Sequence, residues 1–270
     1  MLQHKDIIQH ACMQTIRAAV QTWLFMLLVL MMTPAMADEV RVAVSSNFSA
    51  PMKEIAESFR QDTGHTVRVS SGSSGKLYAQ IRNGAPFDVL LAADDVIPQR
   101  LEQEGLAVAD SGFVYAIGQL VLWSKSAGFI DEMGEVLRQE RYQRLAIAEP
   151  KIAPYGMAAK IALEKMGLWN LLQGKLVKGE SISQTWQFAA TGNVELAFVA
   201  LSQIMRGKKV NEGSWWLVPQ HLYEPIKQGA VLLATAKDNE AALSFLTYMQ
   251  GKSARDVMRG YGYELPTYFQ

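Results

Sequence analysis

The sequence predicts an α/β protein with two lobes. Three observations carry that reading. Short apolar runs alternate with amphipathic stretches from residue 39 onward. The alternation falls into two series with no Gly/Ser linker between them, and neither series contains a repeat or a low-complexity segment. At 270 residues and 49% hydrophobic, the chain can fill one large core or two smaller ones.

The first series opens with "EVRVAV" at 39–44, a strand by its alternation. "APMKEIAESFRQDTG" follows at 50–64, where Met52, Ile55, Ala56 and Phe59 share a helical face and Gly64 is a stop. "TVRVS" at 66–70 is the second strand, and a serine-rich loop leads from it into a helix carrying Leu77 and Ile81 that ends at Asn83-Gly84. "FDVLLAA" at 87–93 is the third strand, with "VIPQRLEQEG" a short helix after it. The second series starts near "FVYAIGQLVLWS" at 113–124. It continues as strand 144–150, helix 154–167, strand 174–180, helix 181–193 and strand 194–201. The tail adds strands in "WWLVP" and "AVLLAT", then two closing helices, "NEAALSFLTYMQG" and "KSARDVMRGYG". One lobe is expected from 38–121 together with 225–270, the other from 122–224.

A leader precedes all of this. Arg17 stands before "WLFMLLVLMM" at 23–32, and "AMA" follows at 35–37, the order of a secretory signal peptide. Its apolar core is about half of the roughly 20 residues a membrane span needs. Cleavage is expected between Ala37 and Asp38. The only cysteine, Cys12, leaves with the leader, so the mature chain has no disulfide, no thiolate nucleophile and no Cys-based metal site. Formal charge is zero, which implies no general attraction to nucleic acid or an anionic membrane.

Chemistry concentrates in the turns. "SSGSSGKLYAQI" at 70–81 is superficially a phosphate loop, but a Walker loop needs G-x-x-x-x-G-K-[S/T]. Here Gly72 and Gly75 are three apart and Leu77 occupies the hydroxyl position, so the nucleotide reading fails. Ser73, Ser74 and Gly75 do stand where a helix begins, where the first N–H groups lack intrahelical partners and the dipole is positive. Such a place caps a helix or holds an anion. "VSSNFSAP" repeats the arrangement with Ser45, Ser46 and Asn47 after a strand and Ser49 as the expected cap before Pro51. "APYGMA" places Pro154 in a first turn, leaving the Tyr155 N–H free with its phenol nearby. "ESISQ" sets Ser181 and Gln184 at capping-box spacing and leaves the Ile182 N–H unpaired. Each turn alone is ordinary. Strand C-ends of an open α/β sheet share one edge, so all four turns can meet at one crevice.

Other chemistries find little. Of four histidines, His4 and His10 lie in the leader, and His65 and His221 have no ligand-spaced neighbour. A secreted hydrolase using a serine of "SGSSG" would need a base histidine, and neither remaining histidine has a triad-like context. Asp94-Asp95 reads as a carboxylate pair or as a turn and helix cap, the second being commoner. Trp215-Trp216 reads as core.

Four segments together carry a resemblance: "AVSSNFSAPMKEIAESF" at 43–59, "SGSSGKLYAQIRNGAPFDVLLAADD" at 71–95, "AEPKIAPYGMAAK" at 148–160 and "ELAFVALSQ" at 195–203. With them the chain resembles the periplasmic molybdate-binding proteins of ABC transporters over essentially all of 38–270. The resemblance implies a type II periplasmic-binding-protein fold: two α/β lobes joined by two crossover strands, with the ligand cleft between them. It implies a monomer that takes up molybdate or tungstate in the periplasm and delivers it to a membrane permease. No catalytic residue, cofactor, metal cation or nucleic acid is implied. Carried onto this chain, the ligand positions are Ser46, Asn47 and Ser74 in lobe one, and Tyr155 and the backbone of Ile182 in lobe two. A tyrosine that many members carry in the strand matching "AFVAL" is Ala200 here, and Tyr155 is expected to supply the missing phenol. Molybdate is a dianion without a proton and suits a donor-only site, whereas monohydrogen phosphate needs an acceptor. Neutral donors and helix ends can hold that charge, so Lys76 is expected to be a solvated first-turn lysine. Another oxyanion such as sulfate is the alternative ligand, and the serine hydrolase is the rival from a different class.

Overall fold

The computed structural model describes residues 38–269 apart from 207, 208 and 211, so the expected signal peptide at 1–37 lies outside the described residues. Strand β1 (Glu39–Ser45) leads through a 3₁₀ turn at Ser46–Phe48 into helix α1 (Ser49–Thr63). Then come β2 (Thr66–Gly72), α2 (Ser74–Arg82), β3 (Val89–Leu91) and α3 (Val96–Gln103). Strands β4 (Phe113–Gly118) and β5 (Leu120–Ser124) follow, separated only by Gln119. The next group is β6 (Leu145–Ala148), α4 (Pro154–Lys165), β7 (Leu176–Gly179), α5 (Ile182–Ala190), β8 (Leu196–Ala200) and β9 (Ser214–Leu217). The chain closes with β10 (Ile226–Leu232), α6 (Glu240–Met249) and α7 (Lys252–Gly260).

These strands form two five-stranded mixed sheets, β2-β1-β3-β10-β4 and β9-β5-β8-β6-β7. The predicted two-lobed α/β architecture is therefore present. The chain crosses from one sheet to the other at Gln119 and returns between Leu217 and Ile226. Val40, Val42 and Val44 of β1 are fully buried against Met52, Ile55 and Phe59 of α1, as the helical spacing of those residues requires. Burying one such side chain contributes about 1.5–3 kcal/mol. Gly64 ends α1 at φ 81°, a left-handed conformation that costs a residue without Cβ nothing. The second lobe has its own core, in which Leu122, Ile147, Tyr155, Phe198 and Ala200 are all buried. Helix α4 starts tight against the end of β6: a Cβ on Gly156 would overlap the Ala148 carbonyl oxygen. That glycine lets the helix N-terminus reach the sheet edge.

Four expectations need correction. Ser49 does not cap α1; the 3₁₀ turn comes first, and the Ser49 hydroxyl pairs with that of Ser71 at 2.8 Å. The strand expected over 87–93 shortens to Val89–Leu91, because the Ala92 N–H turns to the Gly229 carbonyl and the Ala93 N–H to side-chain hydroxyls. The strand expected to reach residue 201 stops at Ala200, and Leu201–Ile204 forms a helical turn. Only Trp216 is core. Successive residues of a strand face opposite sides, so its neighbour Trp215 on edge strand β9 is 39% exposed.

Candidate anion-binding site

Ser46, Asn47, Ser74, Tyr155 and Ile182, the five positions read from the sequence, line one small cavity between the two sheets. Ser45, Gly72, Ser73, Ala93, Ala153 and Pro154 complete its wall, and among the described residues no charged side chain lines it. The N-termini of α2, α4 and α5 bring unpaired N–H groups and positive dipole ends to this place. A larger groove of about 540 Å³ lies alongside, between α3 and α4, with a wall dominated by Val96, Ile97, Met157, Ile161 and Ile226. The small polar cavity is the one suited to an oxyanion.

Ser74 is the best prepared donor. Its Oγ lies 2.9 Å from the Ala93 N–H, which also reaches Ser45 Oγ at 3.0 Å, and the two hydroxyls are 2.6 Å apart. When Ser45 donates to Ser74, both lone pairs of Ser74 Oγ are filled, and its own proton can go to the neighbouring Asp94 carboxylate or turn into the cavity toward an anion. Ser73 is the N-cap residue of α2, yet its hydroxyl makes no capping bond and is buried without a partner. Clustered hydroxyls were the sequence signal for both, Ser73 in the serine-rich loop and Ser45 in the turn after β1, but spacing alone did not separate them from Ser74.

Asn47 offers less than its side chain suggests. Its Nδ2 has two hydrogens, and both are used: one on Gln228 Oε1 at 2.8 Å, one on the Tyr263 hydroxyl at 2.9 Å. The group left to face an anion is its backbone N–H. Its Oδ1 is buried without a partner. On the lobe-two side, Ser181 caps α5 by accepting from the Gln184 N–H at 3.3 Å, while Gln184 Oε1 reaches back to the Glu180 N–H. This leaves the Ile182 N–H as the free first-turn donor. The Tyr155 phenol is 1% exposed, and burial holds its pKa well above the ordinary value, so it keeps its proton. Its oxygen accepts from Gln228 Nε2 at 3.2 Å. Ala200 shares the core cluster of Tyr155 and brings no polar group.

The lobes touch across the cavity. Gly75 N–H donates to the Ile152 carbonyl at 3.0 Å. Ser183 Oγ donates to Ser46 O at 3.1 Å, and Ser202 Oγ to Asn47 O at 2.9 Å. At the rim Lys76 pairs with Glu180, the two side chains being 48% and 70% exposed. Lys76 thus stays in solvent, as expected, but reaches across the cleft. An exposed pair of this kind contributes about 0–1 kcal/mol. Lys76→Ala is accordingly expected to weaken anion binding by less than about fivefold, as titration calorimetry would measure. Asp94, the first of the two carboxylates, caps α3 by accepting from the Ile97 N–H at 2.7 Å, and burial raises its pKa.

A profile of the bacterial extracellular solute-binding protein family matches residues 40–264. The molybdate-binding protein ModA of Azotobacter vinelandii is 54% identical over 231 residues, covering 86% of this chain and 92% of the relative. That of Rhodobacter capsulatus is 49% identical over 230 residues, covering 85% and 90%. Among solved structures, the periplasmic molybdate-binding protein of Azotobacter vinelandii superposes with a TM-score of 0.83 at 40% identity, covering 84% of this chain and all of that one.

Proposed function

This chain belongs to the bacterial extracellular solute-binding protein family, and from that premise we propose that it captures molybdate between its lobes and delivers it to the membrane permease of an ABC transporter. The observation that carries the reading is the cavity itself: hydroxyls and helix N-terminal N–H groups from both lobes converge there with no charged side chain among them. Fixed donors of this kind stabilise a dianion without a counter-charge. Tungstate, of the same charge and shape, is a second ligand. The protein performs no catalysis, carries no cofactor, works as a monomer, and is exported to the periplasm with cleavage after Ala37.

Selectivity follows from what the wall lacks. Among the described residues no carboxylate lines the cavity to accept the proton of monohydrogen phosphate. Asp94 stands behind Ser74, engaged with its hydroxyl and with the Ile97 N–H, and the neutral Asn47 Oδ1 is a buried carbonyl oxygen without a partner. Calorimetry at pH 7 is expected to give one molybdate per chain, comparable tungstate binding and no phosphate binding. Phosphate as tight as molybdate would overturn the donor-only account, and sulfate tighter than molybdate would reassign the ligand.

A further inference from the structure

Gln228 lies in neither half of the cavity wall, yet it touches a ligand residue of each lobe. It sits on β10, at the register shift between Gln228 and Gly229, and is fully buried. Its Oε1 accepts from Asn47 Nδ2 at 2.8 Å and from the Tyr115 hydroxyl at 2.9 Å. Its Nε2 donates to the Tyr155 hydroxyl at 3.2 Å. Asn47 belongs to the first turn of lobe one and Tyr155 to the first turn of α4 in lobe two. The chain makes room for this junction where it crosses between sheets, since a Cβ on Gly118 would overlap the Tyr155 hydroxyl and lie 2.7 Å from Gln228 Nε2.

We propose that Gln228 is the positioning residue of the site, one amide that sets the Asn47 side chain and the Tyr155 phenol in register when the lobes meet. The chemistry is directional. An amide N–H aimed at the phenol oxygen makes that oxygen the acceptor, so the phenol must place its own proton elsewhere. Among the described residues none accepts that proton, and Tyr155 lines the cavity. Gln228 thereby turns the phenol into a donor toward the anion. On the other side, its carbonyl holds one Asn47 Nδ2 hydrogen, which fixes the 3₁₀ turn and the direction of its backbone N–H. Nothing in the local sequence signals this role: Gln228 is 181 residues from Asn47 and 73 from Tyr155.

The inference rests on the function proposed above, and one set of titrations separates the two. Molybdate affinity and ligand-free melting are measured for the parent, Tyr155→Phe, Gln228→Met and the double variant. Tyr155→Phe is expected to bind about fivefold or more weakly, and Gln228→Met about tenfold or more weakly, the size of losing hydrogen bonds to a charged group. In the Gln228→Met background, removing the phenol hydroxyl should cost less than about twofold, because the phenol has already lost its orientation. The proposal is overturned if Tyr155→Phe binds as the parent does, if Gln228→Met lowers ligand-free melting but keeps parental affinity, or if the two losses multiply. Should Gln228→Met fail to fold, parental affinity in Tyr155→Phe alone suffices to overturn it. A parent that binds no molybdate would remove the function and this inference together.

Discussion

Gly75→Ala is expected to bind molybdate at least about tenfold more weakly than the parent while its ligand-free melting temperature is kept or rises. Gly75 lies in the first turn of α2, and a Cβ there would sit 3.0 Å from both Cα and Cβ of Ile152 and 3.1 Å from its carbonyl oxygen. Two of those three atoms are backbone and cannot swing aside. The same residue donates the 3.0 Å hydrogen bond to Ile152, so the methyl group would disturb a contact that exists only when the lobes are together. In separated lobes nothing opposes it, and alanine is the better helix former by about 1 kcal/mol. The substitution thus penalises one conformation. A ligand held by both lobes loses affinity by that difference, about 1.4 kcal/mol for each factor of ten. Calorimetry together with small-angle scattering checks this: the parent should compact at saturating molybdate and the variant less so. Parental affinity with full compaction would mean the Gly75–Ile152 contact does not govern closure.

Ser74→Ala should cost about 1–3 kcal/mol of molybdate affinity, the usual effect of losing a hydrogen bond to a charged group. The stability of the empty protein should change little, for a local reason. The Ala93 N–H, which Ser74 Oγ accepts at 2.9 Å, still has Ser45 Oγ at 3.0 Å, so no buried backbone donor is orphaned. The loss therefore falls mainly on the ligand; Asp94 gives up the Ser74 hydroxyl but keeps the Ile97 N–H. Lys76→Ala is the internal control, since its pair with Glu180 is exposed on both sides. A Lys76→Ala defect larger than that of Ser74→Ala would restore a cationic cradle and contradict the dipole account.

Much of the candidate site was legible because it is built from turns. Each proposed ligand position follows a strand C-end and opens a helix, and serine, proline and asparagine at such places have local meanings that a sequence displays. What closes the site was not legible. Which of Ser73, Ser74 and Ser45 turns a proton inward depends on the backbone N–H of Ala93, a residue with no polar side chain to advertise it. Asn47 reads as a side-chain donor until Gln228 and Tyr263, 181 and 216 residues away, are seen to take both amide hydrogens. The Ser49 cap failed on a subtler point: the spacing was right, but a 3₁₀ turn displaced the helix start and left that hydroxyl beside Ser71. Local chemistry can be read in a chain one turn at a time, whereas a junction among four distant elements exists only once they meet.

A cavity walled by dipoles has a consequence for the medium in which the protein works. Dissolved ions screen charges they can surround, within about 8–10 Å at ordinary ionic strength, but they cannot enter a closed pocket to shield an N–H group already against its anion. Apart from the small share carried by the Lys76–Glu180 pair at the rim, the hold on the ligand should weaken with salt only as far as salt screens the free dianion in bulk, and not through the pocket. An exported scavenger meets whatever ionic strength lies outside the cell, and this one would keep its grip on a trace nutrient through changes that would loosen a site built from lysines and arginines.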